Sequence, residues 1–542
     1  MSFFATDTRF PSPLPPPFPA YKPEMNILHW LFGFGLIYAT CLVLVTPHTA
    51  GWKMFRIAIT PFISIGWLWC AFGVHQINDD DLWGTAILMT YFALPRTLEL
   101  LVFFPPEENV FRLRTSKTTI KSMNGNGHNG IEHHDLGDGK ESEKVKGHED
   151  EVLPEPIPEP FTLAKFYWAS SLWWSLRGVG WNYCCPLPHS SRIHPYTRSS
   201  SRRSYLLARL QFYLIWWLLF DVLRSFMNLS SASAYFSGRP GVAPLYSDLS
   251  QWERGVYSAC VALRIIFGCE KSHCLVSSVF VLIGGMMGWE GEIWSPWGWP
   301  PLFGTLGEVW RSSGLSNTWS RTWQGYFRRW LWIFGVKLIS EDILHLPHSG
   351  PSPHSHFMSH SSIPPTTSET SSPAQSSGRS TPYHPLPTAK PLAPRRLSTK
   401  MVLANLLKSI IVFSLSGLIH DVGTYILLFT ERNSNPHWRE VLVLTPFFAI
   451  QPLGLVVEAV IKTLYRGVKR RWFLKSNIGM ESPQWLTFLE RLVGFVWTWV
   501  WIGWTAGWFV DGLTKAGMWR RGDGRVERPS LVGGLVWGKW MH

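Results

Sequence analysis

Eight stretches of this chain come near the length and apolarity needed to cross a lipid bilayer, at about 27–46, 56–75, 82–104, 205–227, 275–290, 401–429, 441–463 and 489–510. A crossing takes roughly 20 apolar residues in an α-helix. In lipid every backbone N–H and C=O must bond internally, so such a chain folds as a bundle of helices. A ninth, weaker stretch at about 256–268 carries Arg264 and reads as re-entrant or packed against protein. The 32 tryptophans fit the same picture, since indole rings favour the boundary between lipid and water. The sequence predicts an all-α, polytopic transmembrane bundle of about eight spans.

Residues 1–26 form a proline-rich tail with Asp7 and Glu24 and no basic stretch ahead of the first apolar run. That run reads as a retained span rather than a cleaved signal. The formal net charge of +13 does not point to nucleic acid. Its basic residues gather beside apolar spans, as Arg198, Arg202, Arg203 and Arg209, and again as Lys469, Arg470 and Arg471. Such clusters mark cytosolic loops and contact with anionic lipid headgroups. If both clusters share one face, an even number of crossings separates them, and 256–268 then does not span. The seven cysteines, Cys41, Cys70, Cys184, Cys185, Cys260, Cys269 and Cys274, show no zinc-type spacing and read as packing residues.

Two segments lack the apolar content for a packed core and are expected to be disordered. One is the charged segment 105–160; the other, 347–398, is rich in Ser, Pro and His. They divide the chain into first spans (27–104), a core in two parts (161–346 and 399–515) and a basic tail (516–542).

His420 is the residue that bears most on function. It follows Phe413-Ser-Leu-Ser-Gly-Leu-Ile in an almost wholly apolar stretch. An ionisable group at that depth either bonds between helices or serves a function, and neutral imidazole suits proton removal near neutral pH. Ser416 and Gly417 share its helix face and leave room for another helix or a ligand. Asp421 is rotated about 100° away, a poor position from which to orient the ring. Gln451 and Glu458 lie seven apart on one face of a later span and suggest a shared polar interior.

Two more constellations are polar and aromatic. In Arg177-Gly-Val-Gly-Trp181-Asn182 the glycines allow close backbone approach and Arg177 could face a phosphate; a glycine turn at the membrane surface explains the same residues. In the second, Trp319 and Trp323 share a helix face, as do Arg321 and Arg328. Those residues suit an interfacial anchor or the holding of an anionic ligand.

These pieces, in their order, resemble the wax-synthase branch of the membrane-bound O-acyltransferases. The residues that carry the resemblance are Arg177-Gly-Val-Gly-Trp-Asn182, Trp299-Pro-Pro-Leu-Phe-Gly304, Trp319-Ser-Arg-Thr-Trp323, the His420 run, Phe448-Ala-Ile-Gln451 with Glu458, and Trp497 to Asp511. The resemblance implies a helical bundle around a tunnel in the endoplasmic reticulum, with an acyl-CoA cosubstrate, no bound cofactor and no metal. It also implies His420 as general base on the acceptor hydroxyl. In this branch a histidine normally follows the tryptophan equivalent to Trp323; here Gln324 stands there and is expected to position substrate without shuttling protons. Arg177, Trp181, Asn182, Trp319, Arg321, Trp323, Arg328, Ser416, Gln451 and Glu458 are the candidates to meet acyl-CoA or the acceptor.

Some members of the branch make waxes from long-chain alcohols. Others, common among fungal relatives, acetylate hydroxyls of terpenoid-type secondary metabolites. The long Ser/Pro/His-rich segment and proline-rich start have a fungal character, so the resemblance implies acetyl transfer to a hydrophobic alcohol, with wax-ester synthesis as the alternative. A transporter and a non-catalytic scaffold of the same membrane class remain as other readings.

Overall fold

The computed structural model describes residues 27–73, 92–115, 152–183, 196–197, 200–236, 244–303, 310, 314–323, 325–348, 398–432, 436–476, 483–519 and 529–541. Its α-helices of a dozen residues or more are α1 (Ile27–Val45), α2 (Ala50–Gly73), α3 (Leu163–Trp174), α4 (Arg202–Leu229), α5 (Gln251–Met286), α6 (Thr399–Arg432), α7 (Gln451–Ser476) and α8 (Gln484–Lys515). Six stretches among the described residues are long and apolar enough to cross a membrane: Ala50–Ala71, Arg202–Leu229, Gln251–Met286, Thr399–Phe429, Thr445–Arg471 and Gln484–Lys515. The chain is a helical membrane protein.

The structure redraws several sequence boundaries. The stretches 256–268 and 275–290 are parts of one helix, α5, opened by a capping box between Ser250 and Glu253. Its 36 residues extend to about 54 Å, well beyond a bilayer core. Arg264 does not interrupt it, because the guanidinium lies against the rings of Phe220 and Trp519. Merging the two stretches leaves the same number of crossings between the basic clusters. Arg209, however, belongs to no loop: it is buried in α4 and donates to the Trp299 carbonyl at 2.8 Å. Lys469, Arg470 and Arg471 likewise continue α7.

Of the stretch 82–104, the described part is a short α-helix, Leu94–Leu98, followed by a π-helical turn, Glu99–Phe103. It carries the buried charges Arg96 and Glu99, and residues 82–91 of the stretch lie outside the described residues. The segment 105–160 is ordered at both ends. Leu113–Thr115 pairs antiparallel with Val152–Pro154, and Arg112 bridges to Trp181. Residues 116–151 and 349–397 lie outside the described residues, as do Cys184 and Cys185.

Helix packing follows residue type. α4 and α5 form the most extensively packed helix pair. One apolar core joins α1, α2, α3, α5, the ends of α6 and α8, and the turn after α4. Large apolar side chains also cover the outside of the spans, where lipid rather than water is the solvent.

Charged ties close the remaining joints. Glu341 binds Lys408 of α6 at 2.7 Å and Lys337 at 3.1 Å. Glu107 is gripped by Arg56 at 2.9 Å and Lys165 at 3.2 Å. Burial pushes the Glu107 carboxyl up, but the hydrogen bonds and charge of Arg56 and the charge of Lys165 outweigh it and hold the group below its ordinary 4.5. The unfolded chain therefore binds this proton more readily than the folded one. The stability it contributes is complete above about 4.5 and is lost as pH falls through the lower folded value. Melting temperature in detergent is expected to drop on that acid side, and Glu107→Gln to flatten this part of the drop. A slope unchanged by the substitution would contradict the assignment.

Candidate active site around His420

His420 sits about six turns into α6, and its ring bonds back to its own helix. Nδ1 is 2.6 Å from the carbonyl oxygen of Ser416. A carbonyl only accepts, so Nδ1 carries the proton. In the neutral ring the lone pair then lies on Nε2, which is the basic nitrogen. The ring packs at 4.6 Å from Phe448 and 6.3 Å from Phe509, and is half-buried.

The residues beside His420 fix what it packs against. Asp421, 1% exposed, accepts from the backbone N–H groups of Leu444 (2.8 Å) and Thr445 (3.1 Å) and from the Thr445 hydroxyl (2.5 Å). This satisfies the N-terminus of the short helix Thr445–Ala449, which carries Phe447 and Phe448. Gly417 makes the approach possible: a Cβ there would lie 2.6 Å from the Thr445 Cα. Asp421 bonds across to the start of the Thr445 helix. It sets the ring's environment through Thr445, which helix geometry on α6 alone did not reveal.

Aromatic rings continue from His420 to the Trp319 segment. Phe447 and Phe448 pair at 5.0 Å, and Phe509 of α8 completes the trio. Phe447 meets Trp319 at 6.4 Å, and Trp319 meets Phe413 and Trp323, each at 5.5 Å. Phe303, in the Trp299–Phe303 stretch, packs on Trp323 at 5.1 Å. Trp319, Trp323, Ser416 and His420 thus belong to one constellation, on a π-helical turn (Thr318–Thr322) and on α6. The Trp319 indole N–H is buried and has no acceptor among the described residues. Gln324 lies outside the described residues.

Gln451 joins the same site from behind. Its amide donates to the Phe447 carbonyl at 2.8 Å and to Thr505 at 3.1 Å, and accepts from the Trp501 indole at 3.2 Å. Glu458 ties a different joint, accepting from Leu315 N–H at 2.5 Å and pairing with Lys462 at 2.6 Å. Each fastens α7 to a separate neighbour.

The Arg177–Asn182 motif has a structural occupation. Arg177 is 4% exposed, donates to the Pro301 carbonyl and lies 5.7 Å from the Tyr326 ring centre. The cavity beside it measures about 20 Å³, room for about one water and too small for a phosphate. The structure thus gives Arg177 an internal partner, the Pro301 carbonyl. Trp181 donates to buried Glu292 at 2.9 Å, and Asn182 bonds to the backbone of Asn109 and Phe111. Arg321 is exposed and Arg328 half-buried. Residue type alone could not separate a phosphate-binding arginine from one that locks two loops together.

Comparison with known proteins gives one distant likeness. The chain is 28% identical to an acetyltransferase of Arthrobotrys oligospora over 182 residues, 33% of this chain and 35% of that protein. It therefore spans about a third of the curated relative it matches. No family model matches the chain. No solved structure matches it. The relation is to an acetyltransferase, carried by a chain built of membrane-length helices.

Proposed function

We propose that this protein is an integral membrane O-acyltransferase of the wax-synthase branch of the membrane-bound O-acyltransferases, acting in the endoplasmic reticulum. In this reading it moves an acetyl group from acetyl-CoA to a hydroxyl of a hydrophobic acceptor of terpenoid type. The observation that carries the reading is the tautomer of His420: Nδ1 is tied to Ser416, so Nε2 is the base, and aromatic rings surround it. The acetyltransferase likeness supports the choice of group.

The reaction needs no metal or acyl-enzyme. The acceptor hydroxyl oxygen attacks the thioester carbonyl carbon while His420 Nε2 takes the hydroxyl proton. Collapse of the tetrahedral adduct breaks the carbon–sulfur bond, and the thiolate of CoA leaves with the proton returned by the imidazolium. Holding both substrates in register contributes several kcal/mol. The aromatic run from Phe448 to Trp323 offers apolar surface to the acceptor, and the buried Trp319 indole offers one donor to a polar substrate atom. Gln324, next to Trp323, is assigned a positioning role.

The test uses microsomes containing the chain, labelled acetyl-CoA or palmitoyl-CoA, and a lipophilic extract of the host, with esters followed by mass spectrometry. Acetyl esters that depend on His420 support the proposal; palmitoyl esters move it to wax synthesis. Movement of solute across sealed vesicles without acyl-CoA, and no ester, makes the protein a transporter. Trp319→Phe keeps a ring and removes the donor, and is expected to raise KM about tenfold, the effect of one hydrogen bond. A KM equal to wild type would remove Trp319 from substrate binding.

A further inference from the structure

A cavity of about 230 Å³ opens between α4 and α5, where about 10–15 Å³ in the same measure holds one water. Tyr213, Trp217, Phe220 and Arg224 line it from α4, recurring at helical spacing on one face. Lys271 lines it from α5, its ammonium 4.4 Å from the Phe220 ring centre. Among the described residues the lining carboxylate is Asp221, which is 3% exposed and accepts from the Val532 N–H at 3.0 Å.

Position relative to lipid gives this cavity its meaning. Large exposed apolar residues on α4 run from Leu207 to Val222. On α5, beyond Trp252 near its start, they run from Leu275 to Met286. Arg224 lies just past the first run and Lys271 one turn before the second. Both cations therefore stand at the edge of the apolar belt, among aromatic rings. That is the depth of lipid phosphates and of aromatic and basic anchors. Charges inside helices of this kind ordinarily mark a site rather than packing.

We propose that this cavity binds the phosphate of an anionic phospholipid, with Arg224 and Lys271 facing the phosphate and the α4–α5 belt receiving the acyl chains. The ligand chemistry is a phosphate ester, which CoA also carries. The lipid is preferred because the cavity opens at the belt edge and none of its lining residues belongs to the His420 constellation. The proposal does not depend on the acyltransferase reading.

The experiment is native mass spectrometry of the purified full chain after exposure to equal amounts of phosphatidylglycerol and phosphatidylcholine. Wild type is expected to retain phosphatidylglycerol by about tenfold or more, the effect of two interfacial cations. Arg224→Gln with Lys271→Gln should lose that preference, while Arg224→Lys with Lys271→Arg and Lys469→Gln with Arg470→Gln should keep it. Equal retention of both lipids by the wild type overturns the proposal even if the neutral variant does not fold. A folded neutral variant that keeps the preference overturns it as well. Displacement of the lipid by micromolar CoA, lost in the neutral variant, would make the cavity a nucleotide site and overturn the lipid assignment.

Discussion

Replacing His420 with alanine is expected to lower ester formation by about 10²–10⁴-fold, the contribution of one positioned general base. The loss should fall on kcat and leave KM for acyl-CoA nearly unchanged, since the imidazole acts on the acceptor proton rather than on the donor's anchor. Folding should survive, because the ring is half-buried and α6 retains its Asp421 tie to Thr445. Melting temperature measured beside activity makes that check. His420→Gln keeps a polar side chain of similar reach but cannot accept and return a proton at neutral pH. It should be as inactive as alanine. Activity within a few-fold of wild type in either variant would remove His420 from the chemistry and leave it an interhelical tie.

Much of this constellation was legible because each piece violates a local rule. A histidine in an apolar run stands out against its neighbours, and two tryptophans four apart declare a shared face. What the sequence hides is pairing across distance. Asp421 reads as a misplaced orienter of His420 until Thr445, twenty-four residues on, is seen bonded to it. Arg177 has the residue type and glycine neighbours of a phosphate binder, and only the Pro301 carbonyl shows where its guanidinium goes. Arg264 interrupts a hydropathy plot but not a helix, because two rings from elsewhere cover it. In the segment 105–160 the polar middle outweighs two short strands at its ends, and composition averages them away.

The largest stability effect is expected at Glu99, the centre of a buried ionic knot. Its side chain is 1% exposed. Arg96 Nη1 donates to both carboxylate oxygens at 2.8 Å, and Arg329 Nε, 230 residues away in sequence, donates at 2.5 Å. Arg96 also donates to the Leu172 carbonyl at 2.5 Å and to the Tyr183 hydroxyl at 3.1 Å. The Arg329 guanidinium lies 3.9 Å from the Tyr183 ring centre. One carboxylate thus holds the π-helical turn after α2 to α3 and to the segment that follows Tyr326. Glu99→Ala leaves two guanidinium groups in the interior without their counter-charge. Breaking a buried pair in this way costs about 3–5 kcal/mol, because the remaining charge has no water to return to. Asp511→Ala is the contrast: Asp511 is 25% and its partner Lys515 58% exposed, and a helical pair open to solvent in this way contributes about 0.3–0.5 kcal/mol. Thermal unfolding in one detergent should separate the two variants by several degrees or more, with Glu99→Ala the lower. Arg329 leads directly into Trp330 and lies six residues after Trp323, so loosening this knot should also disturb the aromatic run beside His420. Equal melting temperatures for the two variants would mean that the knot is hydrated and contributes no more than a surface pair.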